Sequence, residues 1–268
     1  AERIHDELVK LIMGTAPRLG LTLLVETGLA EYVLPEIPKL KLEVDEHHHH
    51  KDVYEHTLKV LEQAIALEDR LGGPSLEIRL AALLHDIGKP KTRELIPGGG
   101  VSFHHHEVVG SKMAKERLKA LRFSNEIISD VSKLVFLHLR FHGYGNGEWT
   151  DSAVRRYVRD AGDLLNHLHV LTRADCTTRN EKKAANLAAT YDALEARITA
   201  LKAQEELDAI RPDLDGKAIM DILGIKPSPL VGKAYDYLLE LRLENGPLGE
   251  EKAKAELLNW WKENAPKT

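Results

Sequence analysis

Leu80-Ala81-Ala82-Leu83-Leu84-His85-Asp86-Ile87-Gly88-Lys89 is the stretch on which the reading of this chain turns. Five consecutive apolar residues run directly into an imidazole and a carboxylate. From Leu76 to Ile87 the segment is apolar apart from Glu77 and Arg79 in its first turn. That pattern predicts a helix buried in the middle of a domain, with Gly88 as its C-cap glycine. An ionised aspartate at the inner end of such a helix is costly unless a cation meets it.

The flanking sequence is helical in both directions. From Glu2 to about Ile37, Leu8, Leu11, Ile12, Leu19, Leu23, Leu24 and Leu29 recur at helical spacing, interrupted by Pro17 and ended by Pro35 and Pro38. A further helix begins at Asp52, with Glu55 three residues on completing a capping box, and stops near Gly72-Gly73-Pro74. Residues 90–103, with Gly98-Gly99-Gly100, are too glycine-rich for a helix and suit a flap over a site. Apolar stripes then predict helices at about 105–121, 124–141, 151–161, 163–178 and 181–207, and a helical unit over 213–261. The expected fold is all-α: a helical neck over 1–43, a metal-binding helical bundle over 44–180, and a long helix with a C-terminal helical unit over 181–268.

Composition agrees. The chain has 268 residues, 43% hydrophobic and only 5% aromatic, enough for a sizeable core and suited to helices rather than a β-sandwich. Its 37 Lys and Arg against 42 Asp and Glu exclude a strongly basic nucleic-acid coat, while leaving room for a local basic face. Cys176 is the one cysteine, so no internal disulfide forms, and no apolar run is long enough to span a membrane. The expectation is a cytoplasmic protein. Of 14 histidines, all but His5 fall between positions 47 and 169.

Several of them face inward. His56 lies between Val53 and Val60 on the buried side of its helix. His106 precedes Val109 and Met113, His138 follows Val131 and Leu134, and Asp175 follows Leu164, Leu168 and Leu171, each at apolar-stripe spacing. Four imidazoles and two carboxylates aimed at one core are most economically satisfied by divalent metal. Each taken alone is better explained as a core residue hydrogen-bonded to backbone, and it is the joint pattern that argues against this.

His56, His85-Asp86 and Asp175, with Ile87-Gly88-Lys89 following the pair, resemble the HD superfamily of metal-dependent phosphohydrolases. His106 and His138 resemble the two additional histidines of its two-metal members. A longer resemblance overlies this one. Glu2-Arg3-Ile4, Glu26-Thr27-Gly28-Leu29 and Leu34-Pro35-Glu36 are similar to the neck of the CCA-adding tRNA nucleotidyltransferase and bacterial poly(A) polymerase family. Residues 51–58, 103–110 and 173–180 resemble its HD body, actinobacterial members foremost, and Asp213 to Gly216 with Gly246 to Leu248 resemble its C-terminal region. That family's polymerising head, with its Gly-Ser turn and paired Asp-x-Asp, has no counterpart here; Gly110-Ser111 and Asp213-Leu214-Asp215 lie in the wrong contexts. The chain is read as a neck plus HD body that does not add nucleotides.

The resemblance implies two divalent transition metals, Mn, Fe or Ni, with Mg, Co and Zn also compatible. His56, His85, Asp86 and Asp175 would hold one, and Asp86 would bridge to a second held by His106 and His138. It implies hydrolysis of nucleotides or 2′,3′-cyclic phosphates by a metal-activated hydroxide. Asp86, Lys89 and His105 are the expected catalytic residues, Lys89 as a phosphate contact and His105 as proton donor, although exposure is expected for His104 or His105. His142 is the alternative to His138, Cys176 reads as a small core residue, and His47 to His50 as an exposed metal-binding tract. Arg155, Arg156, Arg159 and Arg179 are expected to contact an RNA backbone such as tRNA through charge, or else to form an ordinary solvated face. The competing reading is a tRNA-binding body whose HD core is only a scaffold.

Overall fold

The computed structural model describes residues 2–42, 52–97, 100–143, 149–178, 180–207 and 210–266. It is all-α apart from one small hairpin. In chain order the elements are α1 (Glu2–Met13), α2 (Pro17–Glu26), α3 (Ala30–Val33), α4 (Glu36–Lys39), α5 (Val53–Ala66), α6 (Leu76–Leu84), α7 (Lys89–Thr92), β1 (Glu94–Leu95), β2 (Val101–Ser102), α8 (His106–Ala120), α9 (Asn125–Leu137), α10 (Arg140–Gly143), α11 (Asp151–Ala161), α12 (Leu165–Ala174), α13 (Glu181–Gln204), α14 (Gly216–Leu223), α15 (Pro229–Asn245) and α16 (Glu250–Asn264). Short polar side chains start the helices that matter most. Ser75 accepts from Ile78 N–H at 3.3 Å and Ser124 from Ile127 N–H at 3.3 Å. Asp52 caps α5 through Tyr54 N–H at 3.0 Å. The expected capping box is not closed, because Glu55 pairs instead with Arg18 of α2.

The chain forms two compact units, 1–143 with 163–191, and 144–162 with 192–268. This division differs from the expected boundaries. The neck is not separate: Arg79 of α6 pairs with Glu68 through two 2.7 Å contacts and donates to Ile12 O at 2.9 Å, while Arg117 of α8 forks onto Glu36 of α4. These buried, charge-assisted bonds tie α1 and α4 to the HD helices.

In the first unit α6 is the centre. Every side chain from Ile78 to Leu84 is buried, against α5, α9 and α12. The helix ends at Leu84, and residues 85–88 form a turn. Gly88 is therefore not a C-cap glycine. Its φ is −75°, open to any residue, and the reason for glycine is steric: a Cβ there would stand 2.2 Å from His106 O and 2.7 Å from Gly110 N. The turn thus lies directly against the start of α8. Residues 90–103 hold the end of α7 and the antiparallel pair Glu94↔Ser102 and Leu95↔Val101.

In the second unit, α14, α15 and α16 bury Leu214, Ile219, Leu238 and Leu257. α11 belongs here rather than to the HD bundle. Its Arg155 side chain is fixed to Glu205 and to the carbonyls ending α15. Among the described residues no helix is long and apolar enough to cross a membrane.

Candidate metal centre

His85 and Asp86 sit in the turn after α6, His56 on α5, His106 at the start of α8, His138 just past α9 and Asp175 just past α12. All six meet inside the first unit. Asp86 stands in the middle: its Oδ2 lies 3.2 Å from His85 Nε2 and 3.6 Å from His56 Nε2, and its Oδ1 lies 3.3 Å from His106 Nε2. Asp175 Oδ1 lies 3.0 Å from His56 Nε2 and 3.6 Å from His85 Nε2. His106 and His138 face each other through Nε2 atoms 3.3 Å apart, as do His56 and His85. Two groups emerge, His56 with His85 and Asp175, and Asp86 with His106 and His138, each with ligand atoms within 4.8 Å of one another.

The outer nitrogens decide what these rings can do. His85 Nδ1 meets Ala82 O at 2.8 Å, His106 Nδ1 meets Phe103 O at 2.9 Å and His138 Nδ1 meets Val135 O at 2.6 Å. A carbonyl only accepts, so Nδ1 carries the proton in each, and each ring in its neutral form would present an Nε2 lone pair to the centre. His56 differs, since its Nδ1 meets the Thr177 hydroxyl, which can donate or accept, so its tautomer is not set in this way. Lys89 supplies a cation, its Nζ 2.8 Å from Asp86 Oδ2. One ammonium does not balance two carboxylates.

The titration behaviour reflects this imbalance. Burial opposes a charged His85, yet the Asp86 and Asp175 carboxylates overcome it and hold the pKa up at about 9. Burial, then the neighbouring His85 and His106, push His138 down to about 3. Burial works against ionisation of Asp86 and Asp175 as well, but the surrounding imidazoles, and Lys89 for Asp86, hold both carboxyls below the usual range. The cluster attracts positive charge, and its chemistry, neutral imidazole with carboxylate, suits a divalent transition metal.

A cavity of about 660 Å³ opens onto this cluster, lined also by Lys89, Phe103, His105, Thr177, Lys183 and Tyr191. Lys89 stands over the Phe103 ring at 5.7 Å. His104 and His105 are both exposed, where exposure was expected for one; His105, with its side chain 82% accessible and φ of 61°, sits at the rim. Cys176 is half-buried and lines the cavity rather than a core. The His142 side chain, His47 to His50 and Arg179 lie outside the described residues.

The arginine set divides. Arg155 is buried in an ion pair with Glu205 at 2.9 Å, which corrects its expected place on a solvated basic face. Arg156 and Arg159 are on the surface, Arg156 paired with Glu240 and Glu244 and Arg159 3.8 Å from Glu240. Two residues of the centre went unread in the sequence. Thr177 Oγ1 lies 3.0 Å from His56 Nδ1, and Gln63 Nε2 donates to Ala174 O and Cys176 O, on either side of Asp175. Gln63 is seven residues after His56, on the same helix face, which is the one signal that could have marked it.

Residues 53–180 match the HD domain family, and residues 1–40 match a family described as the probable RNA and SrmB-binding site of polymerase A. A CC-adding tRNA nucleotidyltransferase of Thermus thermophilus is 34% identical over 265 residues, 97% of this chain and 56% of that protein. An A-adding tRNA nucleotidyltransferase of Deinococcus radiodurans is 31% identical over 268 residues, 99% of this chain and 59% of the relative. A multifunctional CCA protein of Neisseria gonorrhoeae is 32% identical over 148 residues, 54% of this chain and 34% of its own length. The chain thus spans little more than half the length of the first two. It belongs to the CCA-adding tRNA nucleotidyltransferase and poly(A) polymerase family, whose HD-containing helical body it shares.

Proposed function

We propose that the chain is a metal-dependent phosphohydrolase acting on phosphomonoesters or phosphodiesters, nucleotides and 2′,3′-cyclic phosphates among them. The observation that carries this reading is the convergence of four imidazole Nε2 atoms and two carboxylates on one buried point beside Lys89. His56, His85, Asp86 and Asp175 would hold one divalent cation, and Asp86 with His106 and His138 a second. Such a pair supplies a water of lowered pKa for attack and positive charge for the phosphoryl oxygens.

The remaining roles fall to the chain's own groups. Lys89 follows Asp86 by three residues, so one turn of backbone sets its ammonium beside the carboxylate and on the cavity wall, where it can hold a phosphate oxygen. Phe103 is the buried apolar wall beneath that ammonium. His105, at the rim, is the group from which a leaving oxygen can take a proton. The cavity is of a size that accepts a nucleotide.

The test is hydrolysis of a panel of 2′,3′-cyclic nucleotides and nucleotides, with metal content measured on the same preparation. Metal-dependent turnover that Asp86→Ala abolishes is expected; turnover unchanged in Asp86→Ala would sink the proposal. A second reading, a tRNA-binding body with a non-catalytic HD core, is favoured by the match of residues 1–40 and by the tRNA nucleotidyltransferase relatives. Under that reading Arg156 and Arg159 are the outward candidates for RNA phosphates, and tRNA binds with no turnover on any member of the panel.

A further inference from the structure

Resting on the two-cation reading above, we infer that Gln63 and Thr177 are positioning residues that build one half of the metal centre, and that this half can be lost without the other. The two halves are fixed in different ways. His85, His106 and His138 each donate from Nδ1 to a carbonyl three residues earlier in the chain, at 2.6 to 2.9 Å. Each ring is therefore oriented by its own turn of backbone, and the acceptor-only carbonyl fixes its tautomer. Asp86 is carried by the same turn as His85.

His56 and Asp175 have no such local support among the bonds described. His56 is oriented by Thr177, 121 residues away in sequence. Thr177 belongs to the segment that carries Asp175, and that segment is held to α5 by Gln63, whose amide gives one hydrogen to Ala174 O at 2.7 Å and the other to Cys176 O at 3.0 Å. Both carbonyls only accept, so the amide nitrogen, not its oxygen, must face them. The three bonds close a loop: α5 holds the 174–177 segment through Gln63, and the segment returns a hydroxyl to His56 on the same helix. Breaking either link releases the His56–Asp175 pair. The Asp86, His106 and His138 set, with its local bonds, is untouched. Removing a hydrogen bond that orients a metal-bound histidine costs about 10–100-fold in metal affinity.

The experiment uses the full chain with His47 to His50 replaced by serine, loaded with Mn²⁺, passed through gel filtration and counted by elemental mass spectrometry. Circular dichroism melts of the metal-free proteins run alongside. Wild type is expected to keep about two equivalents, Thr177→Val and Gln63→Leu about one, and Thr177→Ser about two, because serine retains the hydroxyl. Thr177→Val is nearly isosteric, so it carries the test if Gln63→Leu fails to fold. Two equivalents retained by folded Thr177→Val, or both lost, would overturn the inference. Fewer than two equivalents in wild type would overturn the two-cation reading itself, a result visible before any variant is compared.

Discussion

Each unit of this chain buries charge, and the two do so in opposite ways. In the second unit Glu205 takes Arg155 at 2.9 Å on one oxygen and Arg242 at 3.0 Å on the other, and Arg155 Nη1 donates to Leu243 O and Glu244 O. Two cations meet one carboxylate and the negative end of a helix, so the group is internally balanced. In the first unit, Asp86 and Asp175 meet four imidazoles and Lys89, and the balance is left open. Of the second cluster only Arg155 read as a candidate functional residue in the sequence, whereas the first read as a metal site in all its members. Only the unbalanced one asks for something from outside the chain, and that difference separates a structural network from a binding site.

The comparison is most severely tested by exchanging the two behaviours. Asp86→Ala removes the residue shared by both metal groups, so metal content should fall to nearly zero and any hydrolysis by at least about 1,000-fold, measured by elemental analysis and initial rates. Arg155→Ala leaves Glu205 with Arg242 as its one cation, frees the Leu243 and Glu244 carbonyls, and should cost about 1–3 kcal/mol of stability in a denaturant titration. Its metal content per folded chain should stay at the wild-type level. A metal loss there would erase the distinction between the clusters. Gly88→Ala forces a Cβ onto His106 O and Gly110 N and should cost about 2–3 kcal/mol, while also moving His106 away from Asp86. Adding Mn²⁺ at about a hundred times its dissociation constant should stabilise the wild type by about 2.7 kcal/mol, reversed by chelator, with no effect on Asp86→Ala. The smallest effect belongs to Arg156→Ala, an exposed pair worth less than about 1 kcal/mol. Its use is to ask whether tRNA affinity changes when stability does not.

Much of this was legible in the sequence because the helices obey local rules. The apolar run into His85-Asp86 marks the buried centre, and the stripes carrying His56, His106, His138 and Asp175 bring those residues to it. What was not legible depends on contacts between distant segments. Gly88 looks like a helix stop, but its role is a backbone approach to α8, which no local pattern encodes. Arg155 sits in a run of basic residues with Arg156 and Arg159, and only the fold reveals that one of the three points into a core. Gln63 and Thr177 carry no motif; they matter because 111 to 121 residues of chain return to α5. Neck and bundle share one compact unit for the same reason, since Arg79 of α6 donates to Ile12 O of α1.

The most direct test of the central claim is the metal content of the purified chain, prepared without a metal column and with His47 to His50 replaced by serine. About two tightly held transition-metal ions per chain, lost in Asp86→Ala and kept in Arg155→Ala, is the predicted result. No retained metal after Mn, Fe and Ni have each been offered would contradict it, and would leave the inward histidines as hydrogen-bonded core.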